Sequence, residues 1–204
     1  MTDKSIYHFL DNPKIYKLSA SLFGPGGEKD LREKIRLLLS VLPPARHLLD
    51  VGCGPSSWVW HENLHPIGLD VSLPYTRAFM AHGEPAVNAS AEKLPFDDAS
   101  FDGVWSIGLF HHLPNQMAKR AIAECVRVTA PGGYCIIFDN VFPEPVWSRP
   151  LAWLIRKMDR GRYVRKQMDL ESLLCNREQW QCERFSYSLY GLEGLFCIFL
   201  KKEK

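Results

Sequence analysis

Glycine and acidic residues at the ends of two short apolar runs have the spacing of a nucleotide-cofactor site. Asp50 ends the run HLLD, and Gly52 and Gly54 follow it immediately. Asp70 stands 20 residues later, at the end of the next run, PIGLD. A glycine loop between a strand and a helix collects backbone N–H groups at one crevice. An acid at the end of the second strand can accept both ribose hydroxyls of an adenosine cofactor.

Two adenosine cofactors compete for this loop. A dinucleotide requires glycine at position 57, because its pyrophosphate lies against the helix start, and this chain has Ser57 there. S-adenosylmethionine has no phosphate and needs an acid just before the loop, which Asp50 supplies. A loop of the form GxG alone is also compatible with an ordinary tight turn.

The elements that must position these residues alternate between strand and helix. Residues 28–42 have helical apolar spacing, and residues 114–129 predict a second helix with Pro114 in its first turn. The strand candidates are 47–51, 66–71, 85–89, 100–107 and 133–139. Such alternation predicts parallel strands whose carboxyl ends form the binding crevice. The last 24 residues predict a β-hairpin around Gly191.

The chain resembles the class I S-adenosylmethionine-dependent methyltransferases over about residues 45–140. The matching segments, in order, are LLDVGCG (48–54), GLDVS (68–72), SAEKLPFDDASFDGVWS (90–106), LFHHL (109–113) and RVTAPGGYCIIFD (127–139). The resemblance implies an α/β, Rossmann-like, mostly parallel seven-stranded sheet flanked by helices. A C-terminal antiparallel β-hairpin completes the sheet, and a helical cap is inserted before it.

The same resemblance assigns roles to single residues. It places Asp50, Gly52 and Gly54 at the methionine part of the cofactor, Asp70 and Val71 at the ribose, and Ser106 at the reactive end. The adenine region is assigned to Ser90, Ala91 and Glu92.

The chain departs from the family pattern at two places. Ser56 replaces the usual third loop glycine, beside Pro55, and a serine at a helix start can cap the N–H groups there. Ser90 replaces an acid that pairs with the adenine amino group in many relatives, so that contact is weakened or lost. We expect the first change to alter the helix entrance without abolishing cofactor binding.

The resemblance also divides the chain into four parts of one domain. Residues 1–44 form an N-terminal helical segment, 45–140 the cofactor-binding core, 141–180 a helical cap, and 181–204 the terminal hairpin. Tyr7, Tyr16 and Phe23 either close over the cofactor or belong to the core.

His111 and His112 are the candidates for acid–base chemistry. They follow the fourth strand, where relatives place polar residues that face the acceptor, and a neutral imidazole can take a proton near pH 7. We favour His112 as the residue nearer the substrate. Many methyltransferases need no strong base, because the sulfonium is the electrophile and the protein aligns the attack. The alternative is that one histidine caps the turn and the other packs beneath the cap.

The segment HENLH (61–65) matches the H-E-x-x-H zinc-protease pattern. That chemistry needs both histidines on one face of a well-formed helix. Pro66 follows directly and the second strand must begin there, so we interpret the motif as a solvated helix end and predict no metal.

Residues 156–166, RKMDRGRYVRK, contain six basic residues and one acid. They form either a solvated face, a clamp for an anionic acceptor, or a surface attracted to anionic membranes. The preceding PVWSRPLAWLI suits either a lid over an apolar acceptor or a helix docked on the core.

Composition limits the classes of partner. The formal net charge of +2 argues against nucleic acid, and the motifs of amino-directed and cytosine-C5 nucleic-acid methyltransferases are absent. The sequence contains no membrane span and begins with no signal-peptide pattern. Six scattered cysteines, of which Cys125, Cys135 and Cys197 lie in apolar runs, favour a reducing cytoplasm.

These observations predict methyl transfer from S-adenosylmethionine to a small acceptor, apolar or anionic, with release of S-adenosylhomocysteine. Two alternatives remain open: a non-catalytic regulatory or scaffold protein that keeps the cofactor pocket, and an NAD-dependent oxidoreductase. Ser57 and the Pro-Gly-Gly segment disfavour the latter. The oligomeric state is not predicted.

Overall fold

The computed structural model describes residues 26–159 and 161–203. They form a seven-stranded sheet with the order β3-β2-β1-β4-β5-β7-β6. The strands are β1 (Leu48–Val51), β2 (Ile67–Asp70), β3 (Ala86–Asn88), β4 (Phe101–Ile107), β5 (Thr129–Val141), β6 (Trp180–Tyr187) and β7 (Leu192–Leu200). The first five are parallel, and β7 pairs antiparallel with both β5 and β6. The predicted fold is confirmed.

Helices cover both faces of this sheet. The α-helices are α1 (Gly27–Val41), α2 (Leu73–Met80), α3 (Asn115–Val128), α4 (Pro150–Lys157) and α5 (Gln167–Glu171). Short 3₁₀ turns occupy Trp58–Glu62, Phe110–His112, Val146–Ser148 and Arg177–Gln179. Within the described residues, no helix combines the length and the apolar character that crossing a bilayer requires.

The core has two halves because strand side chains alternate between the faces of the sheet. On β4, Val104 belongs to the half that α3 covers, and Trp105 belongs to the half that α1 and α4 cover. On β5, Ile137 and Phe138 divide in the same way. Helix α1 contributes Leu31, Ile35 and Leu38, whose spacing places them on one face. The same alternation therefore fixes which face of the sheet each strand side chain occupies.

Two elements differ from the sequence prediction. Strand β5 begins at Thr129, so Pro131 and the glycines lie inside it rather than in a turn before it. The register against β4 shifts between Phe101 and Gly103, and that irregularity accommodates the segment. The glycine loop leads into a 3₁₀ turn of five residues, which ends at Asn63 in the left-handed conformation. The residues before Pro66 leave no room for a longer helix.

The segment 141–180, predicted to be a cap and called the cap below, contains α4, α5 and the 3₁₀ turns at Val146–Ser148 and Arg177–Gln179. Ala152 of α4 and Leu170, Leu173 and Leu174 around α5 are buried against the two core halves. Tyr7, Tyr16 and Phe23 lie outside the described residues.

Candidate active site

The glycine loop follows the carboxyl end of β1 and is hydrogen-bonded to the carboxyl end of β2. Gly52 and Gly54 have positive φ angles of 72° and 61°, which glycine adopts without strain. The amides of Gly52 and Cys53 donate to the carbonyl oxygen of Leu69 at 2.7 and 3.1 Å. The amide of Gly54 donates to Asp70 Oδ2 at 3.0 Å. These three N–H groups are directed to β2, so the loop does not offer them to a pyrophosphate.

Asp70 ends β2 with its carboxylate fixed in place. Its Oδ2 accepts from Gly54, and its Oδ1 accepts from the amide of Ser72 at 2.8 Å. These hydrogen bonds fix the orientation of the carboxylate. The neighbouring Val71 side chain is 59% exposed. Asp70 is itself half-buried, so its fixed carboxylate is partly exposed at the carboxyl end of β2.

Asp50 and Ser57 form a buried pair under the loop. The Ser57 hydroxyl donates to Asp50 Oδ2 at 2.5 Å and accepts from the amide of Val59 at 3.4 Å. Burial raises the pKa of Asp50 to about 7, against the lowering effect of the Ser57 hydrogen bond, and the nearby Asp70 charge adds to the rise. The serine after the glycine loop thus caps the 3₁₀ turn and holds the β1 acid.

Residues from the β4 side close the loop. A Cβ on Gly52 would lie 2.9–3.0 Å from side-chain atoms of Leu109, so the first residue of LFHHL lies directly over the glycine. Ser106 is fully buried and donates to the carbonyl oxygen of Val51 at 2.9 Å. Ser106 thereby joins β4 to β1 at the carboxyl edge.

The residues assigned to adenine form a turn after β3. Ser90 Oγ accepts from the amide of Glu92 at 3.3 Å, and Arg120 of α3 donates to Glu92 Oε1 at 2.7 Å. Ala91 is half-buried and packs against the core. Ser90 thus shapes the turn and is exposed at its surface.

His111 lies in a buried cluster at the ends of β4 and β5. Its Nδ1 is 2.5 Å from Asp139 Oδ1, its amide donates to Asp139 Oδ2 at 2.8 Å, and its Nε2 is 3.8 Å from Asp159 Oδ1. Burial opposes the charged imidazole, but Asp139 and Asp159 outweigh burial and raise the pKa of His111. Burial alone would raise the pKa of Asp139. The contact with His111 outweighs burial and holds that pKa below its usual range. His111 is therefore buried between two carboxylates that favour its protonated form.

His112 is the more accessible of the two histidines. Its side chain is half-buried, and its ring lies 4.1 Å, centroid to centroid, from the ring of His111. This placement agrees with the sequence-based preference for His112 as the residue facing the acceptor, which stays a prediction.

The cap is attached directly to this cluster. A Cβ on Gly161 would lie 1.9 Å from His111 Cδ2, so the glycine is in contact with the imidazole. The amide of Tyr163 donates to the carbonyl oxygen of His111 at 2.9 Å. Arg165 donates to the carbonyl oxygens of Phe110 and Leu113 at 2.7 and 2.6 Å.

Sequence reasoning missed Asp139, Asp159 and Gly161. One signal was available for Asp139, because it ends the apolar run YCIIF as Asp50 and Asp70 end theirs. Asp159 and Gly161 stand within the basic run, and only the folded chain brings them to His111.

The basic run does not form one solvated face. Arg156 and Arg165 are 4% and 8% exposed. Arg156 donates to the Tyr187 hydroxyl and to the carbonyl oxygen of Glu193. Lys157 and Arg162 are exposed. Part of the predicted clamp is therefore internal structure that holds the cap on the sheet.

The histidines of HENLH do not converge. His61 and His65 are both exposed, on either side of the turn at Asn63, and His65 Nδ1 lies 2.5 Å from Glu84 Oε1. Across residues 26–159 and 161–203, His, Cys, Asp and Glu form no group of three or more arranged to hold a metal ion.

Comparisons with known proteins agree with this geometry. Residues 49–137 match the family model described as a methyltransferase domain. A probable tRNA methyltransferase 9B of Bos taurus is 30% identical over 130 residues, which cover 61% of this chain and 28% of that protein. A malonyl-[acyl-carrier protein] O-methyltransferase of Pseudescherichia vulneris is 30% identical over 161 residues, 74% of this chain and 63% of that protein.

Solved structures share the fold. A Thermotoga maritima S-adenosylmethionine-dependent methyltransferase, titled a possible histamine N-methyltransferase, superposes with a TM-score of 0.72 at 15% identity, covering 96% of this chain and all of that one. The chain spans little more than a quarter of the length of the tRNA methyltransferase relative from Bos taurus. The names of these relatives therefore agree on methyl transfer and differ in the acceptor.

Proposed function

We propose that this chain, whose residues 49–137 are a class I S-adenosylmethionine-dependent methyltransferase domain, transfers a methyl group from S-adenosylmethionine to a small-molecule acceptor. The observation that carries the proposal is the pairing of the positive-φ glycine loop with the oriented Asp70 carboxylate. The loop amides are directed to β2, as suits a cofactor without a pyrophosphate. This supports S-adenosylmethionine over a dinucleotide.

The donor set at this edge fits the cofactor. S-adenosylmethionine carries a sulfonium and an ammonium, and the site supplies two carboxylates, Asp50 and Asp70, close enough for one to raise the pKa of the other. An oriented carboxylate at the end of the second strand is the group that accepts from ribose hydroxyls in adenosine-cofactor sites, and Gly54 and Ser72 hold Asp70 in that position. Because Gly52 has no Cβ, Leu109 packs directly on it and holds the loop against the segment after β4.

When bound, the cofactor supplies an electrophilic methyl group. The protein contributes alignment: Asp70 fixes the ribose, and the ends of β4 and β5 form the wall beside the reactive end. His112 is half-buried in the 3₁₀ turn after β4, and we assign it to accept a proton from an acceptor hydroxyl or amine. His111 is already held by Asp139, and we assign it the positioning of the loop.

A small acceptor is favoured by the charge and by the cap. The net charge is +2, and Arg156 and Arg165 are buried in internal contacts rather than displayed to a polyanion. The cap covers the wall of the site through Gly161 and Tyr163, which suits a molecule enclosed between cap and sheet. Relatives methylate both tRNA and an acyl-carrier-bound malonyl group by name, so the acceptor class needs a direct test.

The test has a binding arm and a transfer arm. Calorimetry with S-adenosylhomocysteine compares the wild type with Asp70→Asn and with Asp97→Asn, an exposed carboxylate away from the loop. Loss of charged hydrogen bonds to the ribose costs about 1.5–3 kcal/mol, so Asp70→Asn should bind roughly 10- to 150-fold more weakly. Asp97→Asn should bind as the wild type does. Equal affinity in all three proteins would remove Asp70 from the site.

The transfer arm incubates the protein with methyl-labelled cofactor and separate pools of small metabolites, acyl carrier protein thioesters and bulk tRNA. Label in the metabolite pool, lost in the Asp70→Asn variant, supports the proposal. Label in tRNA alone refutes the small acceptor. Cofactor binding without label in any pool supports a regulatory protein, and thermal stabilisation by NAD alone refutes the cofactor assignment.

A further inference from the structure

Five of the six cysteines gather on one half of the core, away from the cofactor loop. Cys125 (α3), Cys135 (β5) and Cys197 (β7) are buried there, and Cys175 and Cys182 pack against them. Cys197 contributes to the electrostatic environment of Cys135, as do Cys125 and Cys175. Nothing in the proposed methyl transfer uses these thiols.

One pair within this cluster is in direct contact. Cys182 and Cys197 stand directly opposite each other on the antiparallel strands β6 and β7. Their Sγ atoms lie 2.9 Å apart. Directly opposed residues on such strands have Cα atoms about 4.5–5.5 Å apart, within the range of about 4.4–6.8 Å that a disulfide spans. Closing the bond therefore needs no change of strand register.

We propose that Cys182 and Cys197 are an oxidative modification site, at which a hydroperoxide converts the two thiols into a cross-strand disulfide. The two sulfur atoms differ in environment, which gives the reaction an order. Cys182 is half-buried, whereas Cys197 is fully buried behind it. The peroxide therefore reaches Cys182 first.

Charge favours the same order. Contact with the Cys197 thiol lowers the pKa of Cys182, and Arg177 lowers it further against the effect of burial. The pKa of Cys197 is raised by the contact with Cys182 and by burial. The thiolate is the attacking form of cysteine, so Cys182 is the nucleophile and Cys197 resolves the product.

The chemistry balances with one peroxide. The Cys182 thiolate attacks one peroxide oxygen, the O–O bond breaks, and the leaving hydroxide takes a proton to become water. Cys182 is then a sulfenic acid. The Cys197 sulfur attacks the Cys182 sulfur, the S–S bond forms, and the S–O bond breaks. The hydroxyl leaves with the Cys197 proton as a second water. The two thiols are oxidised and hydrogen peroxide is reduced.

The disulfide would join the last two strands at the end of the hairpin that packs near α5 and is remote from α4. The contacts of this hairpin with α4 are made by Tyr187, Glu193 and Gly191, at the opposite end of the β6–β7 ladder. The register at that end is set by the existing ladder. We therefore expect oxidation to stabilise the hairpin and to leave cofactor affinity unchanged.

The experiment uses the full chain, treated with dilute hydrogen peroxide and digested without reduction. Mass spectrometry should find the peptides of Cys182 and Cys197 joined, with the mass lower by two hydrogens, and dithiothreitol should separate them. The oxidised protein should melt at a higher temperature and bind S-adenosylhomocysteine as tightly as before. The joined peptide is detected in the wild type, so the result does not depend on a variant folding.

Variants sharpen the assignment. Cys182→Ser and Cys197→Ser should both abolish the joined peptide and the rise in melting temperature, and Cys197→Ser should leave a trappable sulfenic acid on Cys182. Cys175→Ser, another half-buried thiol of the same cluster, should oxidise as the wild type does. A peptide joined through Cys175, or sulfinic acid at Cys182 with no cross-link, would overturn the proposal.

Discussion

At the residue scale, burial raises the pKa of Asp50, the acid that we propose lies next to a cationic cofactor. Its pKa is raised from 3.8 to about 7 by burial, with Ser57 moderating the rise. A sulfonium cofactor favours the ionised carboxylate, so binding should release a proton below pH 7. Affinity for S-adenosylmethionine should therefore rise from pH 6 to pH 8 and then level off, as measured by calorimetry in buffers of different ionisation enthalpy.

Variants of Asp50 and Ser57 test whether Asp50 is the group that makes the affinity depend on pH. Asp50→Asn has no titrating group and should show a flat profile over the same range. Ser57→Ala removes the hydrogen bond that lowers the pKa of Asp50, so its profile should shift to higher pH. An unshifted profile in Ser57→Ala, or a pH-dependent rise that persists in Asp50→Asn, would assign the titration to another group.

The residue scale also shows what the sequence can specify. The positions of Asp50, Asp70 and the glycines were predictable, because they lie at strand ends and strand ends converge at one edge of a parallel sheet, while their roles toward the cofactor stay predictions. The role of Ser57 was only partly predictable. Its hydroxyl both caps a turn and holds Asp50, and the second contact depends on the path of the loop after Pro55.

At the element scale, the cap is held to the sheet by a buried charge cluster. His111 has a pKa above its ordinary 6.5, because Asp139 and Asp159 outweigh the effect of burial. Its contribution to the free energy of unfolding is fully present below pH 6.5, the unfolded value, and is lost as pH rises through the folded value. Asp139, with a lowered pKa, loses its contribution only as pH falls through its folded value, below 3.8.

We therefore expect the unfolding midpoint to fall as pH rises above 6.5. Urea titrations monitored by Trp fluorescence at several pH values measure this slope. His111→Gln should be less stable at pH 6 and should lose most of the alkaline decline, while His47→Gln, an exposed histidine, should keep it. NMR titration of the His111 ring protons checks that this group is the one that titrates.

A substitution at Gly161 tests whether its packing against His111 holds the cap on the sheet. A Cβ there would lie 1.9 Å from His111 Cδ2 and 2.6 Å from its carbonyl oxygen, and the carbonyl cannot yield as a flexible side chain can. Overpacking of this kind costs about 1–3 kcal/mol, so Gly161→Ala should lower the free energy of unfolding by that amount. The neighbouring Arg162→Ala, at an exposed position, is the matched control.

Limited proteolysis distinguishes a local effect from a global one. Gly161→Ala should increase cleavage in the loop that joins α4 to α5, while the sheet stays protected. Unchanged stability and cleavage would mean that Gly161 does not hold the cap.

The element scale is where sequence reasoning was least complete. Helix α3 and the strands followed from apolar periodicity, because each buries one continuous face. The cap did not, because Arg156 and Arg165 have the composition of a solvated surface and are buried through contacts to distant carbonyl groups. Single-residue polarity gives no indication of such partners.

At the scale of the whole molecule, most of the arginines among the described residues form ion pairs with acidic side chains. The ion pairs join Arg32 to Glu28, Arg36 to Glu62, Arg120 to Glu92, Arg127 to Glu124 and Asp98, Arg149 to Glu193, Arg156 to Asp159, Arg177 to Glu171, and Arg184 to Glu144 and Glu193. Binding to a phosphate backbone would have to break such pairs or rely on the remaining lysines. The electrostatic gain from counterion release is correspondingly small.

Bulk tRNA should therefore bind this protein weakly, no tighter than the roughly 10⁻⁴ to 10⁻⁶ M of non-specific complexes at physiological salt. Filter binding between 50 and 200 mM salt measures both the affinity and its salt slope. Exchanging the exposed cap cations Lys157 and Arg162 for glutamine should change that slope no more than exchanging Lys29 on exposed α1 surface does. Nanomolar binding whose steep salt slope depends on the cap cations would instead show that the cap carries a phosphate-binding surface for tRNA, and would contradict the argument from charge for a small acceptor.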